Sequence, residues 1–106
     1  MKRVLVTGST GFIGRHCLPF LIDKGFEVHA VIPKKDLQLD LPKVQWNVAN
    51  VLNPDEVKLL FEKVKPRYLI HLAWYTVPGM YWTSSENLLW LQASIEILRA
   101  FRLHGG

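Results

Sequence analysis

Short runs of apolar residues alternate with longer segments of helical periodicity along this chain. The first run, Val4-Leu5-Val6, is flanked by polar residues and is too short for a helix. Apolar, β-branched runs of this length are typical of strands buried on both faces of a parallel sheet. Four such runs predict the strands Arg3–Thr7, Glu27–Ile32, Val44–Val48 and Arg67–Ala73. Strands separated by helices imply an α/β fold, a parallel sheet with right-handed crossovers.

The segment after the first strand predicts a helix from Phe12 to Lys24. Gly25 is placed to end this helix, because glycine readily adopts the left-handed conformation that closes a helix C-terminus. Pro19 removes one backbone donor inside the helix and is expected to bend it locally. Cys17, the only cysteine of the chain, lies in the same segment. We interpret it as a buried thiol without a redox role.

The second helix is predicted between the third and fourth strands. Asn53 can cap its N-terminus, Pro54 fits the first helical position, and Glu56 is expected to close a capping box. Pro66 ends this helix before the fourth strand. Four residues at helical spacing are predicted to form its buried face: Val57, Leu60, Phe61 and Val64.

The last predicted helix, residues 83–104, is apolar on more than one side. It opens with the sequence Thr-Ser-Ser-Glu, which fits a capping box. Its main apolar face is predicted to consist of Leu88, Leu91, Ile95, Leu98 and Phe101. Further apolar residues, among them Leu89, Trp90 and Ile97, spread around the helix, and one sheet face cannot cover so broad a surface. The helix is therefore either a thick core helix or one that also mediates self-association, and we expect a homo-oligomer.

Three glycines spaced three residues apart follow the first strand: Gly8, Gly11 and Gly14. Gly8 is expected to make the tight turn off the strand, and Gly11 to let the backbone approach a phosphate. Gly14 is expected to let the following helix pack close to the sheet. A pyrophosphate would then meet the unpaired N–H groups and the dipole of the helix N-terminus. An isolated triplet also marks ordinary turns, but its place at the opening of a βαβ unit favours a dinucleotide site.

The spacing Thr-Gly-x-x-Gly-x-x-Gly, with Phe12 and Ile13 before the last glycine, resembles the extended short-chain dehydrogenase/reductase family. More narrowly, it is similar to the NAD-dependent epimerase/dehydratase group, which acts on nucleotide sugars. The similarity continues at Asn-Val-Leu-Asn-Pro (50–54), His-Leu-Ala (71–73) and the helix at 94–100. The resemblance implies a Rossmann-like NAD(P)-binding portion over residues 1–106. It covers only the first part of the family's domain and stops before the fifth strand, so the catalytic and substrate-binding parts are expected to be absent.

The catalytic pair of that family, Tyr-x-x-x-Lys, is missing from this chain. Tyr68, Tyr75 and Tyr81 are followed four residues later by Leu, Gly and Ser. In the family the lysine lowers the pKa of the tyrosine, so that the phenol can exchange a proton with a sugar hydroxyl or carbonyl near neutral pH. We therefore assign no catalytic residue and expect the chain alone to be inactive.

The glycine motif and the resemblance together predict a set of cofactor-binding residues. They are Gly8, Thr10, Gly11, Phe12, Ile13, Gly14, Lys34, Lys35, Asn50, Val51, Leu72, Ala73 and Trp74. Asn50 replaces an aspartate that meets the adenine amine in the family, and its amide oxygen can still accept that hydrogen bond. Val51 would cover the adenine face. Trp74 stands where relatives carry a small residue beside the cofactor ribose.

The end of the second strand favours NADP over NAD as the cofactor. Relatives that use NAD carry an acidic residue where this chain has Ile32, and Lys34 and Lys35 follow where a basic side chain could pair with a 2′-phosphate. Adjacent lysines are more often solvated loop charges. Asp36, at nearly the usual distance of a ribose-binding acid from Gly14, keeps NAD open.

Composition and charge argue against several other classes of protein. The chain has 106 residues, 49% of them hydrophobic, and a formal net charge of +4. Its basic residues are scattered without interleaved aromatics, so we expect no nucleic-acid partner. The four histidines show no metal-site spacing, and no apolar run approaches the roughly 20 residues of a membrane span. The chain opens without a signal peptide, and a cytoplasmic location follows as the default.

Two further segments bear on function. The aromatic loop at 74–82 could stack on a sugar or base, or simply pack over the core. In the helix motif that reads Asn-Val-x-Gly-Thr in the family, this chain has Trp90-Leu91-Gln92-Ala93-Ser94 and so loses the asparagine. We expect the cofactor-binding portion of a nucleotide-sugar epimerase, dehydratase or reductase. The alternatives are a free-standing, non-catalytic NAD(P)-binding or regulatory module, or a decayed remnant.

Overall fold

A computed structural model describes residues 2–73 and 85–106. The predictions for Trp74, the aromatic loop at 74–82 and the first two residues of the Thr-Ser-Ser-Glu cap lie outside the described residues. The strands are β1 (Arg3–Thr7), β2 (Glu27–Ile32), β3 (Gln45–Val48) and β4 (Tyr68–His71). The helices are α1 (Phe12–Asp23), α2 (Pro54–Val64) and α3 (Glu86–Leu103), with a short 3₁₀ turn at Lys35–Leu37. None of the helices in these two stretches is long and apolar enough to cross a membrane.

The four strands form one parallel sheet in the order β3-β2-β1-β4. This confirms the predicted Rossmann-like architecture. The chain first moves outward from β1 to β2 and β3, then crosses back to place β4 on the other side of β1. Ligands of doubly wound folds bind at such a switch point, beyond the carboxyl ends of the strands.

Two of the predicted strands are shorter in the structure. β3 begins at Gln45, because the N–H of Val44 donates to the Leu41 carbonyl in the preceding turn at 3.1 Å. β4 begins at Tyr68 and ends at His71, so that Arg67, Leu72 and Ala73 lie outside it. These differences fall at strand ends, and at the start of β3 the turn hydrogen bond replaces a bond of the sheet.

Helix α1 ends one residue before the predicted Lys24. Gly25 has φ +87°, and its N–H donates to the Ile22 carbonyl at 3.0 Å while the Phe26 N–H reaches the Leu21 carbonyl at 3.1 Å. This pair of bonds is the Schellman closure of a helix, which confirms Gly25 as the residue that ends α1. Cys17 in this helix is half-buried rather than fully buried.

Helix α2 has the predicted cap but not the predicted capping box. The Asn53 Oδ1 accepts hydrogen bonds from the N–H groups of Asp55 (3.0 Å) and Glu56 (3.4 Å). The Glu56 carboxylate, however, accepts from the N–H of Asn50 at 3.0 Å. The Asn53 N–H is not available to it, because it donates to the Asn50 carbonyl in a turn. The predicted buried face of α2 is confirmed in full.

Each face of the sheet has its own hydrophobic core, and alternate residues of β1 contribute to opposite cores. The core beneath α1 contains Val4, Val6, Leu18, Leu21, Val28, Ala30 and Val44. The core beneath α2 and α3 contains Leu5, Val31, Ala49, Val57, Leu60, Phe61, Val64, Ile97 and Ala100. The sheet therefore lies between two helical layers.

Helix α3 buries a different face from the predicted one. Its buried residues are Ala93, Ile97 and Ala100. Ile97 and Ala100 join the core beneath α2, while the leucines of the predicted face turn outward. The residues of the predicted main face are exposed at Leu88, Leu91, Ile95 and Leu98, with only Phe101 half-buried. The excess of apolar surface on this helix is confirmed, but its position is corrected.

Candidate functional site

Two of the three loop glycines are required by packing within the protein. Gly8 has φ +65°, and a Cβ atom there would lie 2.6 Å from the Leu72 carbonyl carbon. A Cβ atom on Gly14 would overlap the Gly8 carbonyl oxygen and lie 2.7 Å from the Cα of Ser9. Ordinary carbon–carbon contacts are about 3.5–4.0 Å. The turn and the close approach of α1 to the loop therefore both depend on glycine.

Gly11 differs, because no residue in the described stretches 2–73 and 85–106 requires it. It has φ −71° and ψ 174°, which any residue can adopt. Within these stretches a Cβ atom there would meet only the Gly8 carbonyl oxygen, at 3.4 Å. Gly11 is exposed and forms the N-cap of α1 without a side-chain hydrogen bond to the first turn. The missing side chain thus leaves free approach to the unpaired N–H groups of the helix N-terminus, which suits a phosphate.

Two buried hydroxyl groups hold the glycine loop in place. The Ser9 Oγ donates to the Val31 carbonyl on β2 at 3.1 Å. The Thr7 Oγ1 accepts hydrogen bonds from the N–H groups of Leu72 (3.1 Å) and Ala73 (3.2 Å), just after β4. Both hydroxyl residues are fully buried. They tie the loop to β2 on one side of β1 and to the β4 end on the other.

A cavity of about 360 Å³ opens beside this loop at the carboxyl edge of the sheet. Its wall is mostly apolar, with a few polar groups, as is usual for a small-molecule site. The lining residues are Thr7, Gly8, Thr10, Val31, Ile32, Pro33, Ala49, Asn50, Val51, Leu52, Ala73 and Trp90. They come from the ends of β1, β2 and β3, the segment after β4, and the first turns of α3. An extended ligand that meets the α1 N-terminus would continue into this cavity.

The structure brings most of the predicted site residues to this edge. Gly8, Thr10, Asn50, Val51 and Ala73 line the cavity. The predicted residues Gly11, Phe12, Ile13 and Gly14 form the N-cap and first turn of α1, and Leu72 packs against Gly8. Lys34 and Lys35 are exposed, and they follow Pro33 without lining the cavity.

Asn50 takes part in the turn that shapes one wall of the cavity. Its Oδ1 accepts the N–H of Leu52 at 3.0 Å, and its own N–H donates to the Glu56 carboxylate. One lone pair of Oδ1 is therefore already used, and the second remains for the adenine amine that the family resemblance suggested. Asn50 is exposed, so this oxygen is open to a ligand.

Sequence reasoning missed several wall residues. Ile32, Pro33 and Ala49 sit at or just beyond strand ends, so their place could have been found from the strand predictions alone. Trp90 lies about one turn into α3, and the only sequence signal for its place was the family helix motif at 90–94, in which it replaces an asparagine. Trp90 is half-buried at this wall.

The fold and this edge of the sheet define the class of protein, a Rossmann-like α/β domain with a cavity at the carboxyl ends of its strands. A sequence model of the NAD dependent epimerase/dehydratase family matches residues 4–106. The chain belongs to this family. The GDP-6-deoxy-D-talose 4-dehydrogenase of Aggregatibacter actinomycetemcomitans is 33% identical over 72 residues, which are 67% of this chain and 20% of that protein.

Solved structures of relatives share the fold. The UDP-glucose 4-epimerase of Thermus thermophilus, in complex with NAD, is 26% identical with a TM-score of 0.80. That match covers 97% of this chain and 34% of the epimerase. A yeast methylglyoxal/isovaleraldehyde reductase complexed with NADPH is 19% identical, with a TM-score of 0.81, and the match covers 97% of this chain and 33% of the reductase. The chain thus spans about a fifth of its curated relative and about a third of these two enzymes.

Proposed function

We propose that the cavity at the carboxyl edge binds NAD or NADP, and that this chain is the dinucleotide-binding part of an enzyme that acts on nucleotide sugars. The observation that carries the proposal is Gly11, the loop glycine that neither its backbone conformation nor packing against the described part of the chain requires. A ligand that must reach the α1 N-terminus explains it. The family membership and the NAD complex of the Thermus epimerase support the same ligand class.

Each part of a dinucleotide has a chemically suitable partner on this edge. The first-turn N–H groups of α1, at Phe12 and Ile13, would hold the pyrophosphate. Asn50 would accept from the adenine amine, and Val51 would cover the ring. The dinucleotide would supply hydride transfer once a substrate is present.

Turnover is not expected from these residues alone. Hydride exchange with a sugar hydroxyl also needs a group that gives and takes a proton near neutral pH. None of the three tyrosines has a lysine four residues later. We therefore propose a binding role for residues 1–106, with the acid–base groups supplied from outside them. A free-standing binding module remains the second candidate, because the same absence favours it.

Three finer proposals concern the substrate class, the oligomeric state and the cellular location of the protein. Two enzymes with similar folds or sequences act on nucleotide-linked sugars by name, which supports a nucleotide sugar as the substrate class. The exposed leucines of α3 support a homo-oligomer through the helix at 83–104. A cytoplasmic location agrees with the use of a soluble cofactor.

NADP is proposed as the preferred dinucleotide. The residue that ends β2 is the apolar Ile32, which cannot accept hydrogen bonds from both ribose hydroxyls. Lys34 and Lys35 follow it as exposed cations, close in sequence to the cavity wall at Pro33. A 2′-phosphate would pair with them and be discriminated from a hydroxyl by its charge.

Calorimetric titration of the full chain with NAD⁺ and NADP⁺ tests both the dinucleotide-binding function and the preference for NADP. We expect both dinucleotides to bind, NADP⁺ more tightly. The double variant Lys34→Ala/Lys35→Ala should weaken NADP⁺ by about tenfold, the size of a charge-assisted contact, and leave NAD⁺ unchanged. The matched control is Lys58→Ala/Lys63→Ala on the exposed side of α2. Equal affinities for NAD⁺ and NADP⁺ that stay the same in the Lys34→Ala/Lys35→Ala variant would refute the NADP preference. If neither dinucleotide binds, the proposed function is refuted.

A further inference from the structure

A continuous chain of hydrogen bonds passes through His71, the last residue of β4. Its Nδ1 lies 2.6 Å from the Thr7 Oγ1, and its Nε2 lies 2.8 Å from the Ser94 Oγ on α3. The Ser94 hydroxyl in turn donates to the Trp90 carbonyl at 2.8 Å. This series of hydrogen bonds therefore links β1, β4 and α3 just behind the candidate site.

Counting donors and acceptors fixes the protonation state of this ring. The Thr7 Oγ1 has two lone pairs, and both accept backbone N–H groups, from Leu72 and Ala73. Its own proton must therefore go to the His71 Nδ1, which has to be unprotonated. The His71 Nε2 then carries the proton and donates it to Ser94. Every partner is satisfied only when His71 is neutral, with its proton on Nε2.

Protonation of His71 would break one of these bonds. A proton on Nδ1 would point at the Thr7 oxygen, which can accept a third hydrogen bond only by releasing Leu72 or Ala73. Burial of the ring lowers the pKa of His71 below its usual range, in agreement with the neutral form.

Charged groups contribute little to the lowered pKa of His71. The groups that meet the ring from β1 and α3 are uncharged hydroxyls. On the same face of β1, Arg3 lies at the opposite end of the strand and pairs with Glu27. On α3, Glu96 and Arg99 pair with each other. Among the described residues, burial is the cause of the lowered pKa of His71.

The two ends of this series of hydrogen bonds reach two parts of the cavity wall. Ala73, held through Thr7, lines it beside the glycine loop, and Trp90, held through Ser94, lines it from α3. We propose that neutral His71 is a positioning residue that holds these two parts of the wall at the separation a bound dinucleotide needs. This inference rests on the proposed function. It also assigns a role to Trp90, whose position the family motif gives to asparagine.

The link from His71 to Ala73 and Trp90 can be tested in the free protein, without any ligand. We would record the ring ¹⁵N signals of His71 and the backbone amides of the full chain between pH 7.5 and 5.0. His71 should be neutral with its proton on Nε2 at pH 7.5, and the amides of Ala73 and Trp90 should shift with the same apparent pKa as the ring. The inference would be overturned by a ring protonated on Nδ1 at pH 7.5, or by amide signals of Ala73 and Trp90 that do not shift when the ring titrates.

Binding measured against pH tests the positioning role. The affinity for NAD⁺ should fall as the pH drops through the lowered pKa of His71, by about tenfold once the ring is fully protonated, the effect of one lost hydrogen bond. In His71→Asn, which offers an acceptor to Thr7 but does not titrate, the affinity should be independent of pH. His104→Gln, at the C-terminal end of α3, is the control and should keep the wild-type profile. A His71→Asn profile that falls like the wild type would overturn the inference.

The two ways of failing are distinguishable. If the wild-type chain binds neither NAD⁺ nor NADP⁺ at pH 7.5, the proposed function fails, and the amide titration alone then decides whether His71 links the two parts of the wall. If the dinucleotide binds but the pH profile of His71→Asn matches the wild type, the function stands and the positioning role is refuted.

Discussion

Alanine should affect two glycines of the same loop in opposite ways. In Gly14→Ala the new Cβ would overlap the Gly8 carbonyl oxygen and lie 2.7 Å from the Ser9 Cα, so α1 must retreat from the loop by about 1 Å. Overpacking of this kind costs about 1–3 kcal/mol. In a domain of this size that lowers the melting temperature by roughly 4–20 °C.

Gly11→Ala should leave stability nearly unchanged. The backbone conformation suits alanine, and among the residues that the structure describes the nearest atom to the new Cβ, the Gly8 carbonyl oxygen, is 3.4 Å away. Alanine is a poorer N-cap than glycine, but it also restricts the unfolded chain, and the two effects together stay within about 0.5 kcal/mol. The affinity for NAD⁺ or NADP⁺ should nevertheless fall by about tenfold, because the methyl group stands where the phosphate approaches the helix N-terminus.

Thermal unfolding followed by circular dichroism and calorimetric titration of both variants separate these effects. We expect a low melting temperature for Gly14→Ala, and a normal melting temperature with weak binding for Gly11→Ala. Wild-type binding by Gly11→Ala would refute the ligand-facing role of that glycine. A wild-type melting temperature for Gly14→Ala would refute the argument from close approach.

Three more substitutions give specific outcomes. Thr7→Val removes the hydroxyl that accepts the Ala73 N–H, while the Leu72 N–H keeps its bond to the backbone carbonyl of residue 7; the change should cost about 1–3 kcal/mol in urea unfolding, whereas Thr7→Ser should recover most of it. Asn53→Ala removes the cap of α2 and should cost about 1 kcal/mol by the same assay, with Asn53→Asp close to wild type. The hydrogen bond from His29 lowers the pKa of Glu27 below 4.5, so its stabilising effect is present above pH 4.5 and is lost as the pH falls through the lowered pKa. Glu27→Gln should therefore flatten the loss of stability below pH 4.5 in acid unfolding, and an unchanged slope would contradict this cause.

The strands and α2 were predictable from sequence because local pattern and tertiary environment agree there. Val4, Leu5 and Val6 are buried on both sides of the sheet, so an unbroken apolar run carries the signal. Phe61 and its neighbours at helical spacing form one continuous apolar face of α2, and turning that face toward the sheet is what buries them together.

Helix α3 was not predictable in the same way, because it offers several apolar faces. The leucines form the more hydrophobic stripe, yet the structure buries Ala93, Ile97 and Ala100, the last two of them in the core beneath α2. A hydrophobicity pattern alone does not tell which of several apolar faces packs against the rest of the protein. The same packing of α3 carries Trp90 to the cavity wall. The site was thus predictable where it depends on strand ends and glycines, and not where it depends on how a later helix packs.

Glu56 shows how a correct local motif can serve a different purpose in the folded chain. Its spacing from Asn53 fits a capping box, but its carboxylate holds the N–H of Asn50 at 3.0 Å. Asn50 in turn accepts the N–H of Leu52, so the cap of α2 and the loop after β3 form one hydrogen-bonded unit. Since Asn50 and Leu52 line the cavity, the first turn of α2 also shapes its wall. A residue that a sequence pattern assigns to helix stability therefore belongs to the support of the candidate site.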